Sequence, residues 1–251
     1  MFRLPPIAIV YWVLLFTGCS SEPGKPAHEP ITPPLKSQAS TEVSAPLLPP
    51  PSITPSITPV PEIDHFVVEE KASEVIILVR THGRLAGKVA DDHVIRASRI
   101  EGELKLTNSR NNSRFRLKIP AEGLKVDTTV LRQKLGYGIV AQDQAERVRA
   151  TMLGPRVLDA DKFPLIMVAG KIRGETDQPL TADFTLNLHG RQKTYIGIPI
   201  KFNRTKNMVE VEGRMTVKQT DFDIQPLSLL AGSLKVKDEM EIHFHFVGRS
   251  K

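Results

Sequence analysis

The stretch that decides the fold is LTADFTLNLHG, residues 180–190, in which apolar and polar residues alternate. The apolar set is Leu180, Ala182, Phe184, Leu186 and Leu188, and the residues between them are Thr, Asp, Thr, Asn and His. Successive side chains of a β-strand point to opposite faces of its sheet. The stretch therefore predicts a strand with one apolar face and one solvated face.

The same alternation recurs along most of the chain. It is found in RIEGELKLT (99–107), RFRLKIP (114–120), YIGIPIKF (195–202), MVEVEGRMTVK (208–218) and EMEIHFHFVG (239–248). In YIGIPIKF the predicted inner set is Ile196, Ile198, Ile200 and Phe202, and Pro199 indicates an edge or a bulge. In two further runs both the odd and the even positions carry apolar residues: EVIILVR (74–80) and PLIMVAGKI (164–172). These strands are expected to be covered on both faces.

These patterns predict an all-β protein of about eight strands, arranged as an antiparallel barrel or sandwich with a shared interior. The strands are long, and closing about eight of them produces a barrel whose interior is filled by side chains or holds one small ligand. One stretch, residues 130–153, lacks alternation. Within it, QDQAERVRATML predicts a short helical insertion with Asp143 as its cap and Val148 and Met152 facing the barrel.

The amino terminus predicts an export signal. IAIVYWVLLF, residues 7–16, is wholly apolar but is too short for a membrane span and is typical of a signal peptide. It precedes Cys19, the only cysteine in the chain. This arrangement resembles the lipobox of bacterial lipoproteins, which implies a signal peptide over residues 1–18 and lipidation of Cys19. An ordinary signal peptide with an incidental cysteine is the alternative. In the lipobox reading, Ser20 favours the outer membrane, so that the protein faces the periplasm.

Residues 19–62 predict a linker after the lipidated cysteine. Twelve of the chain's 20 prolines lie between Ser20 and Glu62, and SITP occurs there twice in tandem. Proline removes backbone donors and prevents helix or sheet from propagating. We expect a semi-stiff stalk, with a ligand for a proline-binding partner as the alternative, and a folded domain over residues 63–251.

Several short pieces of that domain together resemble one known family. They are THGRLAGKV (81–89), LKVDTTVLRQKL (124–135), VRATMLGPRVLDADKFPLIMVAG (148–170), LTADFTLNLHGRQKTYIGIPIKF (180–202) and TDFDI (220–224). In order and spacing they resemble the YceI-like family of lipocalin-like barrels that bind polyisoprenoids and other amphiphiles. The resemblance covers roughly residues 63–248. It implies a lipocalin-like antiparallel barrel with a long-chain lipid, isoprenoid or quinone as ligand and no catalytic cofactor.

Catalytic, metal and nucleic-acid sites are not favoured by the residues. His243 and His245 share a strand face, but that face is the solvated one and no third ligand is near in sequence. His82 and His189 lie near predicted turns, and the pairs Asp91–Asp92, Asp159/Asp161 and Asp221/Asp223 lie in polar or outward positions. The formal net charge is +6, but the basic residues are scattered without interleaved aromatics. We predict no enzyme activity, no bound metal and no nucleic-acid partner.

The parity pattern leads to a functional hypothesis. We expect a lipoprotein of the cell envelope that encloses the apolar chain of an amphiphile, for carriage or storage. The predicted ligand-binding wall is Phe115, Leu117, Phe184, Leu186, Leu188, Ile198, Ile200, Phe222, Phe244 and Phe246. The alternative is a structural or interaction lipoprotein in which these residues fill the barrel and another envelope protein is the partner.

Overall fold

A computed structural model describes residues 63–84, 92–107, 113–174 and 179–251. Cys19, the predicted signal peptide and the predicted linker lie outside these residues. The strands are β1 Ile63–Val68, β2 Glu74–His82, β3 His93–Ala97, β4 Glu101–Thr107, β5 Arg114–Pro120, β6 Leu124–Val126, β7 Leu165–Arg173, β8 Thr181–Leu188, β9 Arg191–Arg204, β10 Met208–Lys218, β11 Ser228–Leu229 and β12 Leu234–Ser250. Two α-helices, α1 Thr129–Lys134 and α2 Gln142–Leu153, lie between β6 and β7.

These strands form a closed antiparallel barrel. The ring runs β1–β4–β5–β7–β8–β9–β10–β12 and closes where β12 pairs with β1, Phe66 lying opposite Ser250. The first three strands of the barrel are each built from two segments. The pairs of segments are β1 with β2, β3 with β4, and β5 with β6. Neighbours in the ring are therefore neighbours in sequence, as in an up-and-down meander. The predicted all-β antiparallel barrel of eight strands is confirmed.

Both α-helices lie at one end of the barrel, called here the helix end. At this end β2 and β6 finish and β9 begins. The β8–β9 hairpin turns here through His189 and Gly190, both with positive φ, as expected for a two-residue primed turn. The 3₁₀ turn Gln219–Phe222 packs against the same end, because Asp238 accepts hydrogen bonds from the Thr220 backbone N–H at 2.9 Å and hydroxyl at 2.7 Å.

Helix α2 covers the free edge of β6, which pairs only with β3 among the described strands. Its Arg149 donates from Nε to the Leu124 carbonyl at 2.9 Å and from Nη2 to the Glu122 carbonyl at 2.7 Å. Val148 and Met152 pack against the interior cluster, as predicted. The predicted cap is wrong: Ala141 precedes the helix, and Asp143 sits in its first turn, paired with Arg147.

Helix α1 lies on the outer face of β2 and β3. Ile76, Leu78 and Val94 are buried there against Leu131 of α1. This explains why EVIILVR is apolar on both parities, and the prediction that both of its faces are covered is confirmed. The same prediction for β7 is wrong, because Leu165 and Met167 are exposed on its outer face.

A bulge in β9 reverses the side-chain alternation that the sequence predicts there. The β8–β9 register shifts between Ala182 and Phe184, and Gly197 has a positive φ at this point. The Gly197 N–H donates to Asp183 Oδ1 at 2.9 Å, and this bond together with Arg173 lowers the pKa of Asp183. A one-residue shift moves each preceding side chain to the other face. Ile196 is therefore 77% exposed, which corrects its prediction as an inner residue.

Candidate functional site

The part of the barrel that the structure describes contains a cavity of about 460 Å³. This volume lies within the range of about 300–1,000 Å³ that is typical of small-molecule sites. Its wall is made by the inward parity of the strands together with α2. Apart from a few polar residues the wall is aliphatic and aromatic, so the cavity suits an apolar chain.

Eight of the ten predicted wall residues line this cavity: Phe115, Leu117, Phe184, Leu186, Leu188, Ile200, Phe244 and Phe246. Their rings form two groups. Phe184 lies 6.4 Å from Phe115 and 5.7 Å from Tyr195 between ring centroids, and Phe244 stacks on Phe246 at 5.7 Å. These residues come from four strands, and closure of the barrel brings them to one interior.

The other two predicted wall residues do not line the cavity. Phe222 is fully buried in the 3₁₀ turn at the helix end, where it belongs to the core cluster that closes the barrel. Its carbonyl lies 3.0 Å from His189 Nδ1. Ile198 follows the β9 bulge and packs against the cluster around Phe66 and Phe184. Neither residue is part of the cavity wall as predicted, because Phe222 lies in a 3₁₀ turn instead of a strand and Ile198 directly follows the bulge.

Several lining residues were missed from the sequence. They are found mainly on β2, β3 and the start of β12: Val75, Ile77, Val79, Ile95, Ala97, Leu234 and Val236. On β2 both parities are apolar, so periodicity did not identify the inner one. β3 has only five residues and is followed directly by the non-strand residues Ser98–Ile100, so it produced no clear alternation.

Polar residues are concentrated at the helix end of the cavity. Thr81, His93, Arg147, Thr151 and Gln219 line it there, and Glu103 of β4 is the other charged lining residue. On β3, His93 shares the parity of the inward residues Ile95 and Ala97, whereas Val94 packs outward against α1. The cavity is thus a mostly apolar tube with a polar end.

His93 is held by a buried ion pair. Its Nδ1 lies 2.6 Å from Asp127 Oδ2, and Arg132 Nη1 donates to Asp127 Oδ1 at 2.7 Å. The side chains of Asp127 and Arg132 are 0% and 1% exposed. Arg132 also donates to the carbonyls of Asp92 and Gly138. The sequence does not predict this arrangement, because its three members lie on β3, at the end of β6 and on α1. In the sequence they look like ordinary scattered polar and charged residues.

The charge of Asp127 is stabilised despite its burial. Burial opposes ionisation, but the hydrogen bonds from His93, the Val94 N–H and Arg132 outweigh it and lower the pKa of Asp127. An ionised carboxylate only accepts hydrogen bonds. The 2.6 Å contact is therefore donated by His93 Nδ1–H.

One buried hydroxyl has no protein partner among the described residues, that of Tyr195 in β9. Burial, together with the charge of Asp221, raises the pKa of Tyr195 to about 12. Its ring packs against that of Phe184, which lines the cavity.

Several of the residues considered for catalysis or metal binding have structural partners. His243 and His245 bind Glu241 and Glu210 at 2.6 and 2.7 Å, and no group of three or more metal-ligating side chains occurs in the described part of the chain. Asp221 pairs with Lys193, and Asp223 pairs with Arg191. His189 packs edge-on against Phe163 at 5.1 Å. His82 is exposed at the end of β2, Asp159 has a positive φ in a turn, and Asp91 lies outside the described residues.

No helix of the described residues has the length and apolarity needed to cross a membrane.

Comparison with known proteins agrees with this architecture. The model of the YceI-like domain matches residues 66–248, which confirms the resemblance seen in the sequence. The crystal structure of Burkholderia cenocepacia BcnA is 14% identical, covers 72% of this chain and 98% of its own, and has a TM-score of 0.52. A Campylobacter jejuni YCEI protein is 10% identical, with 62% and 84% coverage and a TM-score of 0.44. No curated protein matches the sequence.

Proposed function

The chain belongs to the YceI-like family, whose barrels bind hydrophobic ligands, and on this premise we propose that it is an envelope lipoprotein that holds the apolar chain of an amphiphile for carriage or storage. The proposed ligands are a polyisoprenoid, an isoprenoid quinone or a fatty-acid-like lipid. A YceI-like barrel is a binding fold rather than a catalytic one, and the partners found for the candidate histidines and aspartates agree with a role without catalysis.

The observation that carries this proposal is the apolar cavity of about 460 Å³ inside the barrel. Engineered cavities of about 150 Å³ with apolar walls stay free of water and take up apolar guests. Each methylene that leaves water for such an interior contributes about 0.8 kcal/mol. A long apolar chain therefore has more to gain here than a polar solute of equal size.

The alternative is a lipoprotein with a filled barrel that binds another envelope protein. Val130 and Ile139 are 79% and 65% exposed on and after α1, and exposed apolar side chains of this kind favour a protein partner. The cavity argues against the filled barrel. We therefore rank the ligand-binding function first.

The experiment is to purify the full chain from its own cells and to analyse it by native mass spectrometry before and after organic extraction. We expect one apolar molecule per barrel that extraction removes. A protein that carries no lipid, and that also fails to take up a long-chain lipid added to it, would favour the protein-binding alternative.

The proposed membrane attachment is through lipid on Cys19, with the linker of residues 20–62 between the anchor and the barrel. Stable anchoring needs more than one acyl chain, as bacterial lipoproteins provide. We propose the outer membrane, with the barrel facing the periplasm. Metabolic labelling with palmitate tests this: the wild type should be labelled and the Cys19→Ser variant should not. Equal labelling of both would exclude this cysteine as the lipid site.

A further inference from the structure

We propose that His93 binds the polar head of the ligand, and that this head carries a hydroxyl group. The inference rests on the proposed function, since it assigns the orientation and head-group class of the molecule in the same cavity. It places the head at the helix end and the apolar chain along the barrel toward Phe66 and Phe115.

The first argument is the position of the imidazole. His93 lies on the inward parity of β3, lines the cavity and is only 16% exposed. Nδ1 donates to Asp127, and Nε2 has no hydrogen-bond partner in the part of the chain that the structure describes. A ring nitrogen at the wall of an apolar cavity gains a hydrogen bond when a polar ligand atom reaches it.

The second argument is that the neighbouring polar groups are already used. The Thr81 hydroxyl contacts Asp92 Oδ1 at 3.3 Å, and the Gln219 amide donates to the Lys237 carbonyl at 2.7 Å. The Thr151 hydroxyl donates to the Arg147 carbonyl at 3.0 Å. These bonds hold the rim of the cavity in place. They leave His93 as the polar side chain best placed to recognise a ligand.

The third argument concerns the type of head group. Nδ1 donates to Asp127, so in the form of the imidazole with a single ring proton that proton lies on Nδ1 and Nε2 is an acceptor. A hydroxyl donates to it, whereas an ether, an ester or a quinone carbonyl has no proton to donate.

Charge at this end also disfavours an anionic head. The charge of Asp127 is balanced by Arg132 at 2.7 Å, and that of Arg147 by Asp143 at 2.6 Å. A carboxylate would add an unbalanced negative charge near Asp127. The other charged lining residue, Glu103, already faces His65 at 3.0 Å.

The test compares two ligands that differ only in the donor. The full chain, stripped of co-purifying lipid, is titrated with 1-dodecanol and with dodecyl methyl ether in competition with a fluorescent apolar probe. One hydrogen bond predicts that the wild type prefers the alcohol by about five- to tenfold.

The informative variant is His93→Asn. The asparagine amide nitrogen can replace Nδ1 as the donor to Asp127, so the buried ion pair stays satisfied, but nothing replaces Nε2. We expect the preference for the alcohol to fall to nearly onefold, with the ether bound as before. His245→Asn is the matched control, because it makes the same exchange at a histidine that contacts Glu210 away from the cavity wall, and it should keep the preference.

Two outcomes overturn the inference alone: equal binding of alcohol and ether by the wild type, or a preference that survives in His93→Asn. Dodecanoate is the third probe. If it binds more tightly than the alcohol and loses that advantage in His93→Asn, the head group is anionic and the hydroxyl assignment is wrong. If no dodecyl compound displaces the probe, the proposed function fails as well.

Discussion

The buried pair of Asp127 and Arg132 yields the sharpest prediction on stability. In Arg132→Met the three hydrogen bonds donated to Asp127, Asp92 and Gly138 are lost, and the carboxylate remains in a site with no exposure. Removing one member of a buried ion pair costs about 3–5 kcal/mol, because the other charge is left without compensation. We expect a loss of that size in the free energy of unfolding.

The chain contains a matched control for this change. Arg147 and Asp143 form a pair of almost the same length, 2.6 Å against 2.7 Å, but their side chains are 69% and 70% exposed. Arg147→Met removes the same charge and keeps the aliphatic stem. Because water screens exposed pairs, we expect no measurable loss of stability in this variant.

Urea unfolding followed by circular dichroism measures both variants. With an m value of about 2–3 kcal/mol per M, the Arg132→Met midpoint should fall by about 1–2 M, while the Arg147→Met midpoint stays within error of the wild type. Adding Asp127→Asn to Arg132→Met should recover part of the loss, because it removes the uncompensated charge. Equal midpoints for Arg132→Met and Arg147→Met would refute the reasoning.

Three further predictions concern the cavity, pH and the β9 bulge. Val168→Phe places a ring among Leu117 and Leu186 in the cavity wall, and it should weaken binding of a dodecyl ligand by at least tenfold without lowering the thermal midpoint of the ligand-free protein. Folding lowers the pKa of Asp127 below its ordinary value of 3.8. The ionised carboxylate therefore stabilises the folded protein above about pH 4, and this contribution is lost as the pH falls through the folded pKa. Urea midpoints measured from pH 6 to pH 2 test this. Gly197→Ala meets open space but keeps a positive φ, so it should cost about 1 kcal/mol in a urea titration.

Each of these predictions has an outcome that contradicts it. Unchanged binding in Val168→Phe would mean that the ligand lies outside the barrel. A urea midpoint that rises between pH 4 and pH 2 would have the wrong sign for a carboxyl whose pKa is lowered by folding. A neutral Gly197→Ala variant would show that the bulge adopts another backbone conformation.

Much of the fold could be predicted because it depends on a local rule. Where a strand has one solvated face, alternation identifies its inward residues, as in Phe184, Leu186 and Leu188 of β8. The rule failed where the local pattern was ambiguous or interrupted. Both parities of β2 are apolar because α1 covers its outer face, and the Gly197 bulge moved Ile196 to the outside.

The helix end was the least predictable part of the molecule. His93, Asp127 and Arg132 are typical surface residue types, and the separation between His93 and Asp127 is 34 positions. No periodicity joins a short strand, a strand end and a six-residue helix. Their contact follows from the path of the chain from β6 into α1, which only the folded structure contains.

The order of polar and apolar residues was by itself sufficient to predict antiparallel strands around an apolar interior, because a strand exposes alternate side chains to water and hides the others. Whether that interior is packed or hollow was decided only by the tertiary structure, since a cavity depends on the closure of the ring and on how far side chains from opposite walls reach. The same closure decided which end of the cavity is polar. His93, Asp127 and Arg132 come from three separate elements and are hydrogen-bonded to one another there, so this arrangement depends on partners that lie far apart in the chain.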